Sequence, residues 1–222
     1  ETDTTSSQTV TLGGTGAHIV TLGSGTDTYT STGVDTVTGT AGNNTITTGA
    51  GADAVTVGTG VSNVSTGAGN DTITSATANL VSTDTINGGD GTDSLVMSNA
   101  STVVDADFTL ITNVETLSYG NNAATITLGA ASMAAGIATI TDGTAVTTLT
   151  VGAGHTSALT VALSTGNDSI TGSASAAALT VTAADSSITA NDTITGGSGS
   201  SDTLTITASG NALTASELAS VT

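Results

Sequence analysis

Residues 49–73 read GAGADAVTVGTGVSNVSTGAGNDTI, and the fold can be worked out from this stretch outward. A glycine recurs every nine residues, at Gly51, Gly60 and Gly69. Each glycine is followed two positions later by a short polar residue and four positions later by one large apolar residue. A period of this length, with one turn and one short strand in each repeat, predicts a chain wound as a β-solenoid.

The same period extends upstream of this stretch as far as Gly16, with one shortened repeat. The large residue of each repeat is predicted to point into a narrow core, while its neighbours, which are often threonine, point outward. The predicted inward residues are Val20, Tyr29, Val37, Ile46, Val55, Val64 and Ile73. The polar residues of the turns are His18, Asp27, Asp35, Asn44, Asp53, Ser62 and Asp71.

The charged side chains are almost all negative, because the 222 residues include 18 Asp and Glu, two His and no Lys or Arg. A hard divalent cation held by oxygen ligands is therefore the natural counter-charge for the acidic turns. The same composition excludes nucleic acid as a partner, since contacts to phosphate need Lys or Arg. There is no Cys, and no apolar run approaches the roughly 20 residues of a membrane span, so neither disulfides nor membrane insertion are predicted.

The glycine-rich turns also carry a longer motif. Residues 88–93 read GGDGTD, and seven turns of the form Gly-x-polar precede them in register. Over about residues 13–96 the chain resembles the RTX, or haemolysin-type, calcium-binding nonapeptide GGxGxDxUx, in which U is a large apolar residue. The resemblance implies a parallel β-roll with two nonapeptides per turn. It also implies that Ca²⁺ lies between stacked turns, held by Asp carboxylates and backbone carbonyls.

In such a roll consecutive nonapeptides alternate between two edges, so same-edge ligands lie about 18 residues apart. The edge with more carboxylates should bind Ca²⁺ well, and it carries His18, Asp35, Asp53 and Asp71. The other edge should bind more weakly, because it has a single carboxylate; it carries Asp27, Asn44 and Ser62. The predicted calcium ligands are Asp27, Asp35, Asn44, Asp53, Asp71, Asp84, Asp90 and Asp93.

The same residue types are also found in metal-free turns, where Asp, Asn and Ser hydrogen-bond to the backbone. For Asp27 and Asn44, ligand and turn residue are equally good interpretations. The choice between ligand and cap stays open as well for Asp84, Asp192 and Asp202. Asp168 lies in the one repeat of the second half that keeps the Gly-Asn-Asp pattern, and it is interpreted as a turn residue.

A longer repeat lies beneath the short one and predicts two modules, since residues 84–91 (DTINGGDG) match residues 192–199 (DTITGGSG) at an offset of 108. Residues 1–114 are predicted to be a β-roll module with a helical or irregular cap segment near 105–114, whose inward residues are Phe108, Leu110, Ile111 and Val114. Residues 115–222 are predicted to be a degenerate second module, a metal-poor β-solenoid with few acidic turns. Its predicted inward residues recur about every ten positions, at Leu117, Ile126, Leu149, Leu159, Ile170, Leu179, Ile188 and Ile194.

No constellation of residues predicts catalysis, so the chain is not interpreted as an enzyme. Its turns most resemble the repeat region of RTX-type bacterial surface-layer or surface-filament proteins. That resemblance implies an extracellular structural protein at the bacterial cell surface, delivered by type I secretion, which folds and self-assembles with Ca²⁺. Two alternatives stay open: a segment of a calcium-dependent adhesin that extends it or binds a ligand or ice, and the repeat domain of a secreted RTX enzyme.

Overall fold

Short parallel strands build the protein in the computed structural model, which describes residues 6–99, 101–199 and 201–207. In chain order the strands are β1 (Thr9–Thr11), β2 (Ala17–Thr21), β3 (Thr28–Thr30), β4 (Val34–Thr38), β5 (Thr45–Thr47), β6 (Ala54–Thr56), β7 (Asn63–Ala68), β8 (Thr72–Ser75), β9 (Thr85–Asp90), β10 (Ser94–Met97), β11 (Ser101–Val103), β12 (Ile111–Thr112), β13 (Thr116–Ser118), β14 (Ala124–Leu128), β15 (Thr139–Thr141), β16 (Thr147–Val151), β17 (Leu159–Ala162), β18 (Ser169–Thr171), β19 (Leu179–Ala184), β20 (Thr193–Thr195) and β21 (Thr203–Thr207). All pairings among these strands are parallel. The β-solenoid predicted from the nine-residue period is confirmed, and so is the parallel arrangement that the resemblance to the RTX nonapeptide implied.

Consecutive strands belong to different sheets, so the chain winds from one sheet to the other. The ten-stranded sheet runs through both halves, in the order β2-β4-β6-β8-β10-β13-β15-β17-β19-β21. In the first half the chain alternates between it and a six-stranded sheet, in the order β1-β3-β5-β7-β9-β12. In the second half it alternates with a five-stranded sheet, in the order β11-β14-β16-β18-β20. This alternation puts successive nonapeptide turns on opposite edges, as predicted.

The core is a stack of large side chains, one or two from each strand. The predicted inward residues of the first half are fully buried from Tyr29 to Ile73, and Val20 is half-buried. The eight apolar residues predicted to point inward in the second half are all buried, from Leu117 to Ile194. Burying one Val, Leu or Ile side chain stabilises a fold by about 1.5–3 kcal/mol. A regular stack of such residues therefore holds the turns together without any thick globular interior.

The predicted cap segment, residues 105–114, combines a short 3₁₀ turn with a short strand. It begins with a 3₁₀ turn (Asp105–Phe108), and Phe108, Ile111 and Val114 are buried. The expectation that Leu110 points inward is wrong, because its side chain is 44% exposed. The 3₁₀ turn ends before it and Ile111 opens β12, so the alternation of side chains along the extended chain turns Leu110 outward.

A short helix, α1 (Ala130–Ala135), was not predicted and packs on the 3₁₀ turn and on β12. The Asp105 carboxylate accepts the backbone N–H groups of Ala131 (3.0 Å) and Ser132 (2.8 Å) at the start of this helix. Burial alone would raise the pKa of Asp105, but these hydrogen bonds hold it below its usual range.

Within the described residues no helix is long and apolar enough to cross a membrane.

The outer face of the ten-stranded sheet is rich in threonine. One row of paired positions runs along it through Thr36, Ala54, Thr72, Ser94, Thr116, Thr139, Thr160, Thr180 and Thr203. On the strands of this sheet that the structure describes, no outward-facing side chain is charged. The aspartates next to this sheet in the described residues instead lie at or near the ends of its strands, as Asp35, Asp53 and Asp71 do. The ten-stranded sheet continues past residue 115 through the pairing of β10 with β13. The division of the chain into two modules therefore stays a prediction. Residues 208–222 of the predicted second module lie outside the described ranges.

Candidate metal sites

Four buried aspartates form a column that runs from strand to strand along the N-terminal ends of β4, β6, β8 and β10 in the ten-stranded sheet. Asp35, Asp53, Asp71 and Asp93 are at most 2% exposed and lie on successive turns. In each step of the column the Oδ1 atom accepts the backbone N–H of the aspartate one turn earlier. The N–H of Asp35 donates to Asp53 (2.6 Å), that of Asp53 to Asp71 (2.8 Å), and that of Asp71 to Asp93 (2.8 Å). We call this set the acidic column.

The second oxygen of each carboxylate in the acidic column has no partner. The Oδ2 atoms of all four aspartates are buried and make no hydrogen bond. Burial raises the pKa of Asp53 and of Asp93, and the neighbouring carboxylates of the column raise them further. At a strand spacing of about 4.8 Å, two such charges repel by roughly 3 kcal/mol at an effective dielectric constant of about 20. A proton or a cation at these oxygens would relieve this repulsion.

Both ends of the acidic column are closed by residues other than aspartate. At one end the Oε2 atom of Glu115 accepts the N–H of Asp93 (2.8 Å). At the other end His18 Nδ1 lies 2.7 Å from Asp35 Oδ1, and Ser31 Oγ lies 3.2 Å from both atoms. The position of His18 matches the prediction, whereas the part of Glu115 was missed. Its signal in the sequence is the polar residue directly before Thr116-Leu117, as Asp71 precedes Thr72-Ile73.

Replacing Glu115 by alanine is expected to lower the free energy of unfolding by about 1–3 kcal/mol, because the N–H of Asp93 loses its acceptor. Glu115→Gln keeps an amide oxygen at this position and should lose less than half as much. Urea unfolding at saturating Ca²⁺ measures both values. Equal losses for the two variants would show that the carboxylate charge, and not the hydrogen bond to Asp93, accounts for the effect.

The turns that carry the acidic column approach each other at glycine. Gly69 and Gly91 have φ values of 142° and 140°, in the region that favours glycine. A Cβ atom on Gly69 would collide with the carbonyl oxygen of Gly51 in the turn before, and one on Gly91 with that of Gly69. At these glycines the backbones of successive turns are in direct contact, two residues before Asp71 and Asp93 of the acidic column.

The second predicted column follows the edge of the six-stranded sheet and has less charge. Asp27 Oδ1 accepts the N–H of Gln8 (2.8 Å), and Asn44 Oδ1 accepts the N–H of Asp27 (3.2 Å). Ser62 donates its N–H to Asp84 Oδ1 (2.8 Å). The buried atoms without a partner are Asp27 Oδ2, Asn44 Nδ2 and Ser62 Oγ. Only one of these is a carboxylate oxygen, and weaker calcium binding at this edge stays a prediction.

Two further predicted ligands differ from the column residues. Asp84 uses both oxygens for the backbone, because its Oδ2 accepts the N–H of Val81 (2.9 Å). This geometry favours the turn-capping interpretation of Asp84. Asp90 is exposed at the end of β9, and its backbone carbonyl accepts the N–H of Gly69 (2.8 Å). The ligand roles of Asp84 and Asp90 stay predictions.

The second half has more buried carboxylates than its sequence suggests. The N–H of Thr147 donates to Asp168 Oδ1 (2.7 Å), and that of Asp168 donates to Asp192 Oδ1 (2.7 Å). These residues repeat the pattern of the acidic column on the five-stranded sheet. Burial, together with the carboxylates of Asp142 and Asp192, raises the pKa of Asp168 to about 7. Asp168 was interpreted as a turn residue, and the structure also places it in a stack of buried carboxylates.

The two other acidic residues of this half that were left open hold the backbone with both carboxylate oxygens. Asp192 Oδ2 accepts the N–H of Thr189 (2.6 Å). Asp202 accepts the N–H of Leu179 (2.9 Å) and of Gly197 (2.6 Å). Of the ligand and cap interpretations, this geometry favours the cap for both residues.

Ca²⁺ fits the acidic column by its donor set. The unpartnered Oδ2 atoms are hard anionic oxygens, which Ca²⁺ prefers, and it takes six to eight oxygen ligands in flexible geometry. Across the described part of the chain no group of three or more His, Asp or Glu side chains is arranged to hold a metal by itself. The remaining ligands would therefore come from the turn carbonyls. When bound, the cation would neutralise the carboxylates that repel one another.

Comparison with known families matches the chain to the RTX calcium-binding nonapeptide repeat, in four copies over residues 29–64, 82–96 and 189–201. The first two ranges include three members of the acidic column, Asp35, Asp53 and Asp93. The third lies in the half that was expected to be poor in metal sites. Searches of curated proteins and of solved structures give no significant match.

Proposed function

Because the chain is an RTX repeat protein, we propose that it is an extracellular structural protein that folds and self-assembles with Ca²⁺. The observation that carries the proposal is the acidic column, whose four buried carboxylates each keep one oxygen without a partner. A chain of net charge −18 with no Lys or Arg has no cationic side chain to place there beyond its two histidines. Binding energy of Ca²⁺ at these oxygens is therefore folding energy.

The concentration of Ca²⁺ would act as the switch. In a medium poor in calcium the stacked carboxylates repel, and the unfolded chain keeps them in water. Extracellular modules commonly bind Ca²⁺ with dissociation constants of about 10⁻⁴–10⁻³ M, so folding would begin outside the cell. This behaviour suits a protein that is exported unfolded, by type I secretion, to the bacterial surface.

The outer face of the ten-stranded sheet supports assembly between copies. It is uncharged and rich in hydroxyl groups, although the molecule as a whole is strongly acidic. At about 4.8 Å per strand, ten strands make a face roughly 43 Å long. Two copies can approach across this face without bringing carboxylates together, while Ca²⁺ neutralises exposed carboxylates such as Asp90 at the edges.

Negative-stain electron microscopy with millimolar Ca²⁺ and after chelation tests the assembly. We expect ordered sheets or filaments that dissolve on chelation. Thr141→Asp puts a charge on the exposed face of β15 and should abolish them, whereas Thr127→Asp puts the same charge on β14 of the five-stranded sheet and should not. Dispersed wild-type particles in both conditions would contradict self-assembly and favour the adhesin segment or the repeat domain of a secreted enzyme.

A further inference from the structure

A pair of buried carboxylates lies outside the acidic column, in the half of the chain expected to be poor in metal sites. Asp142 follows β15 and Asp168 precedes β18, so they lie on successive turns at the edge between the ten-stranded and five-stranded sheets. Asp142 is 7% exposed and Asp168 is 1% exposed. Neither turn falls in the residues that match the nonapeptide family.

One residue joins the two carboxylates. The Thr147 hydroxyl donates to Asp142 Oδ1 (2.6 Å), and the Thr147 backbone N–H donates to Asp168 Oδ1 (2.7 Å). The Oδ2 atoms of Asp142 and Asp168 are buried and have no hydrogen-bond partner. Ionised carboxylates are acceptors only, so the two cannot satisfy each other.

The residues around the pair do not supply the missing positive charge. Asp192 is the next carboxylate in the stack. Its Oδ1 accepts the N–H of Asp168 (2.7 Å), so it brings a further negative charge close to the pair. Of the two histidines, His18 contacts Asp35 in the first half and His155 is buried beside Ser132. An unpaired buried charge costs several kcal/mol, so two adjacent ones need either a shared proton or a cation from outside the chain.

We propose that Asp142 Oδ2 and Asp168 Oδ2 bind one divalent cation, Ca²⁺ in a calcium-rich medium, at a site that no nonapeptide motif marks. Backbone carbonyls of the turns would complete its ligands, as at other calcium sites in proteins. Asp142 lies at no position of the nonapeptide motif. It reaches the site only because its turn stacks on the turn that carries Asp168. The inference rests on the proposed function only for the identity of the metal.

Counting bound Ca²⁺ by equilibrium dialysis of the full chain tests the site. Asp142→Asn should bind one Ca²⁺ fewer than the wild type, and Asp168→Asn should lose the same one. In either variant the new amide can donate to the remaining Oδ2 atom, so the calcium-free protein should melt at a higher temperature than the calcium-free wild type. Asp107→Asn in the cap segment removes the same charge away from the pair and should leave the count unchanged.

An equal count in the wild type and in both pair variants would overturn the inference, and the pair would then hold a shared proton only. If one variant fails to fold, the count of the other decides. A wild type that binds no Ca²⁺ at all contradicts the proposed function as well, whereas equal binding with and without Asp142 contradicts only this site.

Discussion

Transfer of the calcium-loaded protein into a chelator at neutral pH is expected to lower its free energy of unfolding by about 8 kcal/mol. Each Ca²⁺ present at roughly 100 times its dissociation constant stabilises the fold by about 2.7 kcal/mol, and the total of about 8 kcal/mol is the sum over three such ions. One Ca²⁺ is expected in each of the three intervals between the four carboxylates of the acidic column. Since whole domains are stable by about 5–15 kcal/mol, this loss is a large share of the total stability, and the calcium-free protein should melt at a much lower temperature. Circular dichroism and calorimetry, with and without Ca²⁺, measure it.

Two controls show whether the acidic column is responsible. Mg²⁺ demands near-octahedral geometry and keeps its waters, so it should restore little of the lost stability. Asp53→Asn removes the central repulsion of the column, so its calcium-free form should melt closer to its calcium-loaded form than the wild type does. An unchanged melting temperature of the wild type after chelation would contradict calcium-dependent folding.

Acid should replace part of the calcium effect. The pKa values of Asp53 and Asp93 are raised in the folded state, so folding takes up protons between the unfolded pKa, about 3.9, and the raised values. The calcium-free protein then gains stability as the pH falls through this window and loses it as the pH rises. His155 opposes this below about pH 6.5, because burial lowers its pKa and the unfolded state takes up that proton. The shift in melting temperature caused by Ca²⁺ should therefore be smaller at about pH 5 than at neutral pH.

Gly69→Ala is expected to be strongly destabilising, at about 2–6 kcal/mol of unfolding free energy. A positive φ costs a residue other than glycine about 1–3 kcal/mol, and overpacking adds about 1–3 kcal/mol. Both apply at Gly69, whose Cβ would collide with the carbonyl of Gly51. Denaturant unfolding at saturating Ca²⁺ measures the loss.

Gly16→Ala is the matched control for this substitution. Gly16 occupies the same position of the nonapeptide, but a Cβ there meets nothing within 4 Å. Its backbone is also outside the positive-φ region. A change of less than about 0.5 kcal/mol is expected. A loss at Gly16 as large as the loss at Gly69 would show that neither the positive φ nor the contact with Gly51 is the cause, because Gly16 has neither a positive φ nor a neighbour in the way.

The acidic column shows how far spacing alone can place a site. Asp35, Asp53 and Asp71 were predicted on one edge because the offset between them is constant, and the structure stacks them in that order. The offset then lengthens to 22 residues, and there the spacing did not lead to Glu115. A longer loop moves the next ligand along the chain without moving it in space. A fixed spacing therefore fails at the first insertion, although the hydrogen-bond ladder does not.

The spacing of the aspartates could not show, by contrast, whether a given aspartate is a metal ligand or a cap of the turn. Asp84 and Asp71 both precede a Thr-Ile strand, yet Asp84 has both oxygens on backbone N–H groups and Asp71 has only one. The difference comes from the path of the loop before Asp84, which brings the N–H of Val81 within reach. Asp142 gives a second example, because only the stacking of its turn on the next one brings it beside Asp168.

By itself the sequence determined the local parts of this protein: turns at the glycines, inward strand residues, the parallel solenoid and its acidic edges. These follow from a nine-residue period, and each repeat states them without reference to distant residues. Only the tertiary structure decided where the six-stranded sheet ends, that α1 packs on β12, and which carboxylates keep a free oxygen. The physical reason is that these three features depend on which turns stack on one another. Stacking is selected by contacts between residues 17 to 27 positions apart, which no single repeat contains.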